Sequence, residues 1–151
     1  MADSALAGRI KAEVIAAMKA KQKDRLNVLR MLQAAIKQVE VDERRELADA
    51  DVLKILTSYQ RKVKDQLAGA ESSGRAELVA DAQAELAVVQ EFLPAEMDDA
   101  ALEAAVREAI AESGATSAKD MGKVMKAVMP KTAGRADGGR VSGMVKKLLG
   151  N

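Results

Sequence analysis

The sequence predicts an all-α protein, and three observations lead to this fold class. Ala supplies 30 of the 151 residues, and Tyr59 and Phe92 are the only aromatic residues. Ala loses no side-chain entropy in a helix, whereas strands are enriched in aromatic and β-branched residues. Apolar residues recur every three or four positions, which is the helical period. We expect a multihelical N-terminal domain, residues 1–94, and a small three-helix C-terminal domain, residues 95–151.

Four helices are predicted in the N-terminal domain. Ser4 and Asp24 have side chains that suit the N-caps of the first two helices. A charged link, residues 41–46, precedes the third helix, and Gly74 ends that helix because glycine accepts a left-handed backbone. Pro94 disfavours helical geometry at the residue before it, so the fourth helix and the domain should end here.

Three helices are predicted in the C-terminal domain. Asp98 suits the N-cap of the fifth helix and Gly114 its end, and the sixth helix begins at Ser117. Pro130 stops the sixth helix and opens a loop, because proline lacks the N–H that a helix interior needs. The loop runs to Asp137, which caps the seventh helix.

The composition removes most familiar catalytic chemistry. The chain has no Cys and no His, which excludes disulfides, thiolate metal sites, cysteine nucleophiles and the usual general base. The acidic residues occupy exposed-looking helix positions, and the sequence has neither a serine nucleophile elbow nor a phosphate-binding glycine loop. We predict no catalytic residues, no metal site and no cofactor, and we lean towards a protein that is not an enzyme.

The sequence also predicts where the protein resides. Arg9, Lys11 and Glu13 interrupt the N-terminus, so it lacks the unbroken apolar stretch of a signal peptide. No later stretch approaches 18 uncharged apolar residues. We expect a cytoplasmic protein that does not span a membrane.

Charge is distributed unevenly along the chain. Residues 1–39 carry a net charge of +5, residues 40–114 carry −10, and residues 115–151 carry +6. One interpretation is that the acidic and basic regions face each other in the fold. Surface ion pairs contribute less than about 1 kcal/mol each, however, so stability alone explains this segregation poorly.

Basic residues form a stripe in the C-terminal domain. Lys119, Lys123 and Lys126 are spaced four and three apart, opposite the apolar positions of the sixth helix. The predicted stripe continues in Lys131, Arg135, Arg140 and Lys147. Such a surface suits a polyanion, since each neutralised phosphate releases counterions. An ordinary lysine-covered helix produces the same pattern.

The missing aromatic residues narrow the kind of polyanion. Unpaired bases are bound by stacking on aromatic or Arg planes, and both aromatic residues occupy predicted core positions. A folded, phosphate-rich target therefore fits better. Gly122 and Gly143 lie within predicted helices, where each costs about 1 kcal/mol relative to Ala. Close approach of another backbone, or helix packing within the protein, would compensate for that cost.

Several segments resemble one protein family. Residues 114–131, GATSAKDMGKVMKAVMPK, and residues 134–138, GRADG, are similar to the C-terminal signature of the YqeY family, relatives of the tail of the GatB amidotransferase subunit. Residues 25–36, RLNVLRMLQAAI, and residues 86–94, which end in QEFLP, resemble the N-terminal half of the family. The resemblance covers nearly the whole chain. Ala48 departs from it, because the family usually has a capping Ser there.

The resemblance implies a two-part helical fold and a role with RNA. In the amidotransferase, the similar tail helps to hold the tRNA whose misattached Glu or Asp is amidated, while glutamine hydrolysis and phosphorylation occur elsewhere. The positions that match the family signature are Lys119, Gly122, Lys123, Lys126, Lys131, Gly134, Arg135 and Asp137.

Our leading hypothesis is a non-catalytic module that binds tRNA or similar structured RNA through its C-terminal domain. The predicted RNA-binding residues are Lys119, Gly122, Lys123, Lys126, Lys131, Arg135, Arg140 and Lys147. One alternative is an accessory component of glutamine-dependent amide transfer, a carbon-nitrogen ligase activity with glutamine as amido-N-donor. Another is a protein-interaction scaffold whose acidic residues 40–114 dock a basic partner.

Overall fold

The structure, a computed structural model, describes residues 4–132 and 135–150, and the regular secondary structure of this part of the chain is all helical, with no strand. The all-α prediction is therefore confirmed. The seven α-helices of the described residues are α1 (Ala5–Lys19), α2 (Lys23–Glu43), α3 (Asp49–Ser72), α4 (Ala76–Gln90), α5 (Asp99–Ser113), α6 (Met121–Thr132) and α7 (Gly138–Leu148). A single 3₁₀ turn, Ala118–Asp120, precedes α6. The chain forms two compact units, Met1–Leu93 and Pro94–Asn151.

The N-terminal unit buries aliphatic side chains from all four of its helices. α1 packs against α2, and α3 packs against α4. The core includes Ile10, Leu29, Leu32, Leu56 and Val89, each fully buried. Full burial of one such side chain contributes roughly 1.5–3 kcal/mol, so these contacts dominate the stability of the unit.

Ser4 joins the start of α1 to the start of α3. Its hydroxyl accepts a hydrogen bond from the Ala7 N–H at 3.1 Å, which confirms Ser4 as the N-cap, and donates one to the Asp49 carboxylate. The Leu6 N–H also donates to Asp49, at 3.1 Å. These bonds favour the ionised carboxylate and hold the pKa of Asp49 below its ordinary value of 3.8.

The boundaries of α2 differ from those predicted. Its N-cap is Gln22 rather than Asp24, which lies in the first turn, because the chain reverses within three residues after α1. Lys21 takes the left-handed conformation at φ 56°, and the Gln22 N–H bonds back to Ala17. The helix also extends to Glu43, into the predicted link, until Arg44 adopts a left-handed backbone at φ 54°.

The start of α3 is held despite the missing family serine. Ala48 has no side-chain acceptor, but the Asp51 carboxylate accepts a hydrogen bond from the Ala48 N–H at 2.9 Å. The Arg45 guanidinium pairs with Asp51 through two bonds, of 2.9 and 3.0 Å. Arg45 and the Ala48 N–H together lower the pKa of Asp51 to about 2. The start of α3 is therefore held by the side chain three positions later rather than by one at position 48.

Two segments that resemble the YqeY family meet in the N-terminal unit. Arg25, in the first of them, pairs with Glu91 in the second and with Glu13 on α1, the latter at 2.9 Å. Phe92 is 4% exposed, and the Arg9 guanidinium lies 5.3 Å from the centre of its ring. The end of α4 is thus fastened to α1 and α2.

The C-terminal unit is a three-helix bundle in which α5 packs against both α6 and α7. Asp98 and Asp137 are N-caps as predicted, since their carboxylates accept hydrogen bonds from the Ala101 and Arg140 N–H groups. Gly114 ends α5 with φ 69°, a conformation that side chains disfavour. The three predicted helices of this region are therefore present.

The predicted course of α6 is wrong at both ends. Ser117 precedes the 3₁₀ turn rather than α6 itself. Pro130 does not end the helix, which continues to Thr132. Thr132 is only 1% exposed, and its hydroxyl donates to the Val128 carbonyl at 3.2 Å. Burial of this residue and the ion pairs of Lys131 with α5 retain a helical turn that the proline by itself disfavours.

We expect Asp49→Asn to flatten the acid sensitivity of the protein. Because the folded-state pKa of Asp49 is lowered, its carboxylate contributes stability above the unfolded value of 3.8, and this contribution is lost as the pH falls through the folded value. Asn retains an acceptor oxygen but does not titrate. Urea unfolding between about pH 5 and about pH 2 measures the difference.

Asp65→Asn, at an exposed position of α3, is the matched control and should keep the wild-type pH dependence. Equal acid sensitivity in wild type and Asp49→Asn would contradict the role of the Ser4–Asp49 contact.

Candidate nucleic-acid interface

The core of the C-terminal unit decides which side of each helix faces solvent. Branched and small side chains from all three helices form this core: Leu102, Val106, Ala109, Val124, Val128, Val141 and Val145. Val124 and Val128 are both fully buried, so the opposite side of α6 lies in solvent. The position of each cation around α6 therefore decides whether its side chain lies in solvent or beside a neighbouring helix.

Three lysines lie together on the solvent side of this segment. Lys119 in the 3₁₀ turn and Lys123 and Lys126 in α6 are all exposed, opposite the buried valines. None of the three makes an ion pair with the described residues. The structure thus brings these predicted residues onto one surface, which we call the lysine face.

Asp120 is the acid that lies nearest to the lysine face in sequence. Its carboxylate accepts a hydrogen bond from the Thr116 N–H at 3.0 Å, which is the main reason that its pKa is lowered. Lys123 contributes a smaller electrostatic effect in the same direction. The acid therefore serves to fix the turn before α6, and its effect on the lysine face is secondary.

Lys131 lies elsewhere on the same helix and is held by acids of α5. Its ammonium group contacts Glu108 at 2.9 Å and Glu112 at 3.1 Å, and its side chain is 25% exposed. The hydrogen bond to Glu108 and then the one to Glu112 raise the pKa of Lys131. Its charge is already compensated within the protein.

Arg135 and Arg140 fasten the segment before α5 to the connection between α6 and α7. The Met97 N–H donates to the Arg135 carbonyl at 2.7 Å, and the Arg135 guanidinium reaches the Ala95 carbonyl at 3.4 Å. The Arg140 guanidinium donates to the Met97 carbonyl at 2.9 Å and to Asp99 at 3.1 Å. Both predicted RNA-binding residues therefore have structural contacts inside the unit.

The last helix contributes two exposed lysines. Lys147, a predicted residue, and its neighbour Lys146 are exposed and make no ion pair with the described residues. Lys146 was missed by the sequence reasoning, which followed the seven-residue spacing from Arg140 to Lys147. Its position in the last turn, where cations interact favourably with the helix dipole, was the available signal.

Gly122 and Gly143, two glycines within helices, have no close neighbours. A Cβ atom added to Gly122 or Gly143 would meet no atom within 4 Å. Neither helix packing nor close approach of a described backbone explains these glycines, so the packing explanation is wrong. Gly122 lies on the solvent side of α6 beside the lysine face. Gly134, which matches the family signature, lies outside the described residues.

Acidic and basic regions do face each other in part of this unit. Glu108 and Glu112 of α5 pair with Lys131, and Asp99 pairs with Arg140. Charge pairing therefore accounts for two of the predicted cations. It does not account for the lysine face, where no ammonium group forms an ion pair with a described acid and Lys123 has only an electrostatic interaction with Asp120.

Among residues 4–132 and 135–150, no three acidic side chains are grouped in a way that could hold a metal ion. None of the helices described has both the length and the apolar character that a membrane crossing requires.

The fold and this surface define an all-helical protein with a three-helix unit that presents unpaired cations on one helix. The family model described as Yqey-like protein matches residues 7–149, so the chain belongs to the YqeY family. The resemblance found in the sequence is thereby confirmed, and the similarity to the GatB tail is consistent with this family. A search of curated proteins finds no match.

We expect Arg140→Ala and Lys147→Ala to differ in their effect on stability. Arg140→Ala removes two hydrogen bonds that hold the segment before α5 and should cost about 1 kcal/mol. Lys147→Ala removes an exposed, unpaired side chain and should change the free energy of unfolding by less than about 0.5 kcal/mol. Urea unfolding followed by circular dichroism makes the comparison. Equal costs would show that Arg140 has no structural role.

We expect Gly122→Ala to stabilise the protein by about 0.5 to 1 kcal/mol, because Ala favours the helix and its Cβ has open space. Gly114→Ala should destabilise it by about 1 kcal/mol, since residue 114 has a positive φ. The same unfolding measurement tests both. A loss of stability in Gly122→Ala would contradict the open space around residue 122.

Proposed function

We propose that this protein is a non-catalytic module that binds tRNA or similar structured RNA through the lysine face of its C-terminal unit. The observation that carries the proposal is a set of three exposed lysines, Lys119 in the 3₁₀ turn and Lys123 and Lys126 in α6, none of which forms an ion pair with a described acid. Family membership supports it, because the related GatB tail helps to hold tRNA.

The energetics favour an external anion at this face. The three ammonium groups form no ion pair with a described acid, and Asp120 interacts electrostatically with Lys123, so their combined charge exceeds what this nearby acid compensates. A phosphate backbone compensates several of them together and gains affinity from the release of condensed counterions. Lys146 and Lys147 supply two further unpaired cations on α7.

The aromatic residues support a target that is bound by its backbone. Phe92 is buried, and the Tyr59 hydroxyl donates to Glu85. Burial and then this hydrogen bond raise the pKa of Tyr59. Neither ring is free to form a stacking platform for unpaired bases. The proposed target is therefore a folded RNA recognised through its phosphates, as tRNA is.

The predicted cations divide into two groups under this proposal. Lys119, Lys123, Lys126 and Lys147 contact phosphates, and Gly122 leaves room for a close backbone. Lys131, Arg135 and Arg140 instead position the helices that carry those contacts, since their side chains already bond within the unit.

Three further features remain part of the proposal. The two units act as separate domains, divided at Pro94, and the C-terminal one carries the RNA. The protein works in the cytoplasm. An accessory role in glutamine-dependent amide transfer rests on kinship with the GatB tail alone, and no contact among the described residues favours it or the scaffold hypothesis.

Salt-dependent binding tests the proposal. The proposed phosphate contacts are five, one from each of these lysines: Lys119, Lys123, Lys126, Lys146 and Lys147. They correspond to a slope of about −4 to −5 for log affinity against log salt. Replacing Lys119, Lys123 and Lys126 together by Ala should reduce the magnitude of this slope by about 2 to 3, because about 0.9 is lost with each contact. Fluorescence titration with folded tRNA measures the affinity of wild type and variant.

The control removes the same number of lysines from the N-terminal unit. Lys37, Lys54 and Lys62, which are all exposed, are replaced together by Ala and should leave the slope unchanged. If the slope decreases by the same amount in the two triple variants, the RNA is attracted by the positive charge of the whole protein and the lysine face is not the binding surface. If wild type does not bind the RNA at all, the proposed function is wrong.

A further inference from the structure

An open groove lies at the hairpin between α1 and α2, in the N-terminal unit. Its volume is about 320 Å³, and it is lined by Ala17, Met18, Lys21, Lys23, Leu26 and Arg30. The short reversal at Lys21 brings the end of α1 beside the start of α2, so that the groove combines residues from both helices.

The groove has an apolar floor. Ala17 belongs to the core, and Leu26 packs against the core while remaining partly exposed. Met18 is 52% exposed, and Ile15, one helical turn earlier, is 47% exposed. Exposed apolar side chains grouped beside a groove are typical of a contact surface, and methionine adapts its shape to different partners.

The rim of the groove is positively charged throughout. Lys21, Lys23 and Arg30 are all exposed, and none of the six lining residues is acidic. None of these three cations makes an ion pair with the described residues. The neighbouring Arg25 differs, because Glu13 and Glu91 hold it.

The apolar floor and the positively charged rim together indicate the chemistry of the molecule that binds in the groove. Phosphates would satisfy the cations but leave Met18 and Leu26 uncovered, and the groove has no aromatic ring on which a base could stack. A peptide with apolar and acidic residues on one face satisfies the floor and the rim together.

We propose that the α1–α2 groove docks an acidic amphipathic helix of a partner protein. Apolar side chains of that helix, spaced three or four residues apart, cover Met18 and Leu26. Its carboxylates pair with Lys21, Lys23 and Arg30. This surface is separate from the lysine face, so the protein carries one contact surface for RNA and a second one for protein.

The test uses the full chain and three synthetic peptides. The first is an acidic helical peptide with Leu at positions i, i+3, i+4 and i+7 and Glu at most others. The second has the same composition in scrambled order, and the third is oligoglutamate of the same length. Fluorescence anisotropy measures affinity, and amide chemical shifts locate the contact on the chain.

We expect the amphipathic peptide to bind at least about tenfold more tightly than either control peptide, with chemical shifts confined to residues around 15–30. Met18→Glu and Arg30→Glu should each weaken it about tenfold. The matched variants are Leu78→Glu, whose side chain is 46% exposed on α4, and Lys62→Glu on α3, and both should bind as wild type does. All four positions are exposed enough to retain the fold, which circular dichroism checks.

Four results would overturn the proposal. The first is the absence of binding up to about 1 mM peptide, and the second is equal affinity for the three peptides. The third is a change in amide chemical shifts outside the groove, and the fourth is a loss of affinity in the matched variants equal to that in Met18→Glu and Arg30→Glu. Tighter binding of vesicles containing phosphatidylserine, or of an RNA duplex, at these same residues would replace the protein partner by a lipid or nucleic-acid one. Binding of tRNA at the lysine face is measured separately, so the two proposals fail independently.

Discussion

Each helix of this protein buries one face of aliphatic side chains, and the remaining features of the structure follow from that burial. With two aromatic residues in 151, the core depends on Leu, Ile, Val, Ala and Met. These aliphatic side chains fill the core only when the helices lie close together. Each helix therefore needs apolar residues at every third or fourth position, so that they form one continuous face. Charged residues are consequently restricted to the opposite faces, where they either pair with a neighbouring helix or face solvent.

The C-terminal unit shows both outcomes on a single helix. Lys131 points along the side of α6 that faces α5, and two glutamates compensate its charge. Lys123 and Lys126 lie on the far side, where neither forms an ion pair with a described acid. A difference of a few residues in sequence thus separates a cation that pairs within the bundle from cations that are exposed to solvent.

The N-terminal unit depends on polar bonds at the ends of its helices. Asp49, Asp51 and Glu91 each join a helix end to a different segment of the chain. These bonds leave the flank of the α1–α2 hairpin without partners. The cations and exposed apolar side chains of that flank therefore form the second surface for which we infer a partner. Carboxylates of that partner would complement the positively charged rim of the groove, because none of the residues that line the groove is acidic.

Among the described residues, the sequence by itself determined the seven α-helices, the N-caps of α1, α5 and α7 and the position of the lysines on α6, because these follow from local spacing and from side-chain bonds to the nearest backbone. Ser4, Asp98, Gly114 and Asp137 act as their local chemistry dictates. Only the tertiary structure decided that α6 continues through Pro130, since burial of Thr132 outweighs a local preference. It also decided which cations are free: Lys131 and Arg140 are paired by acids 19 to 41 residues away in the chain, a distance over which sequence periodicity carries no information.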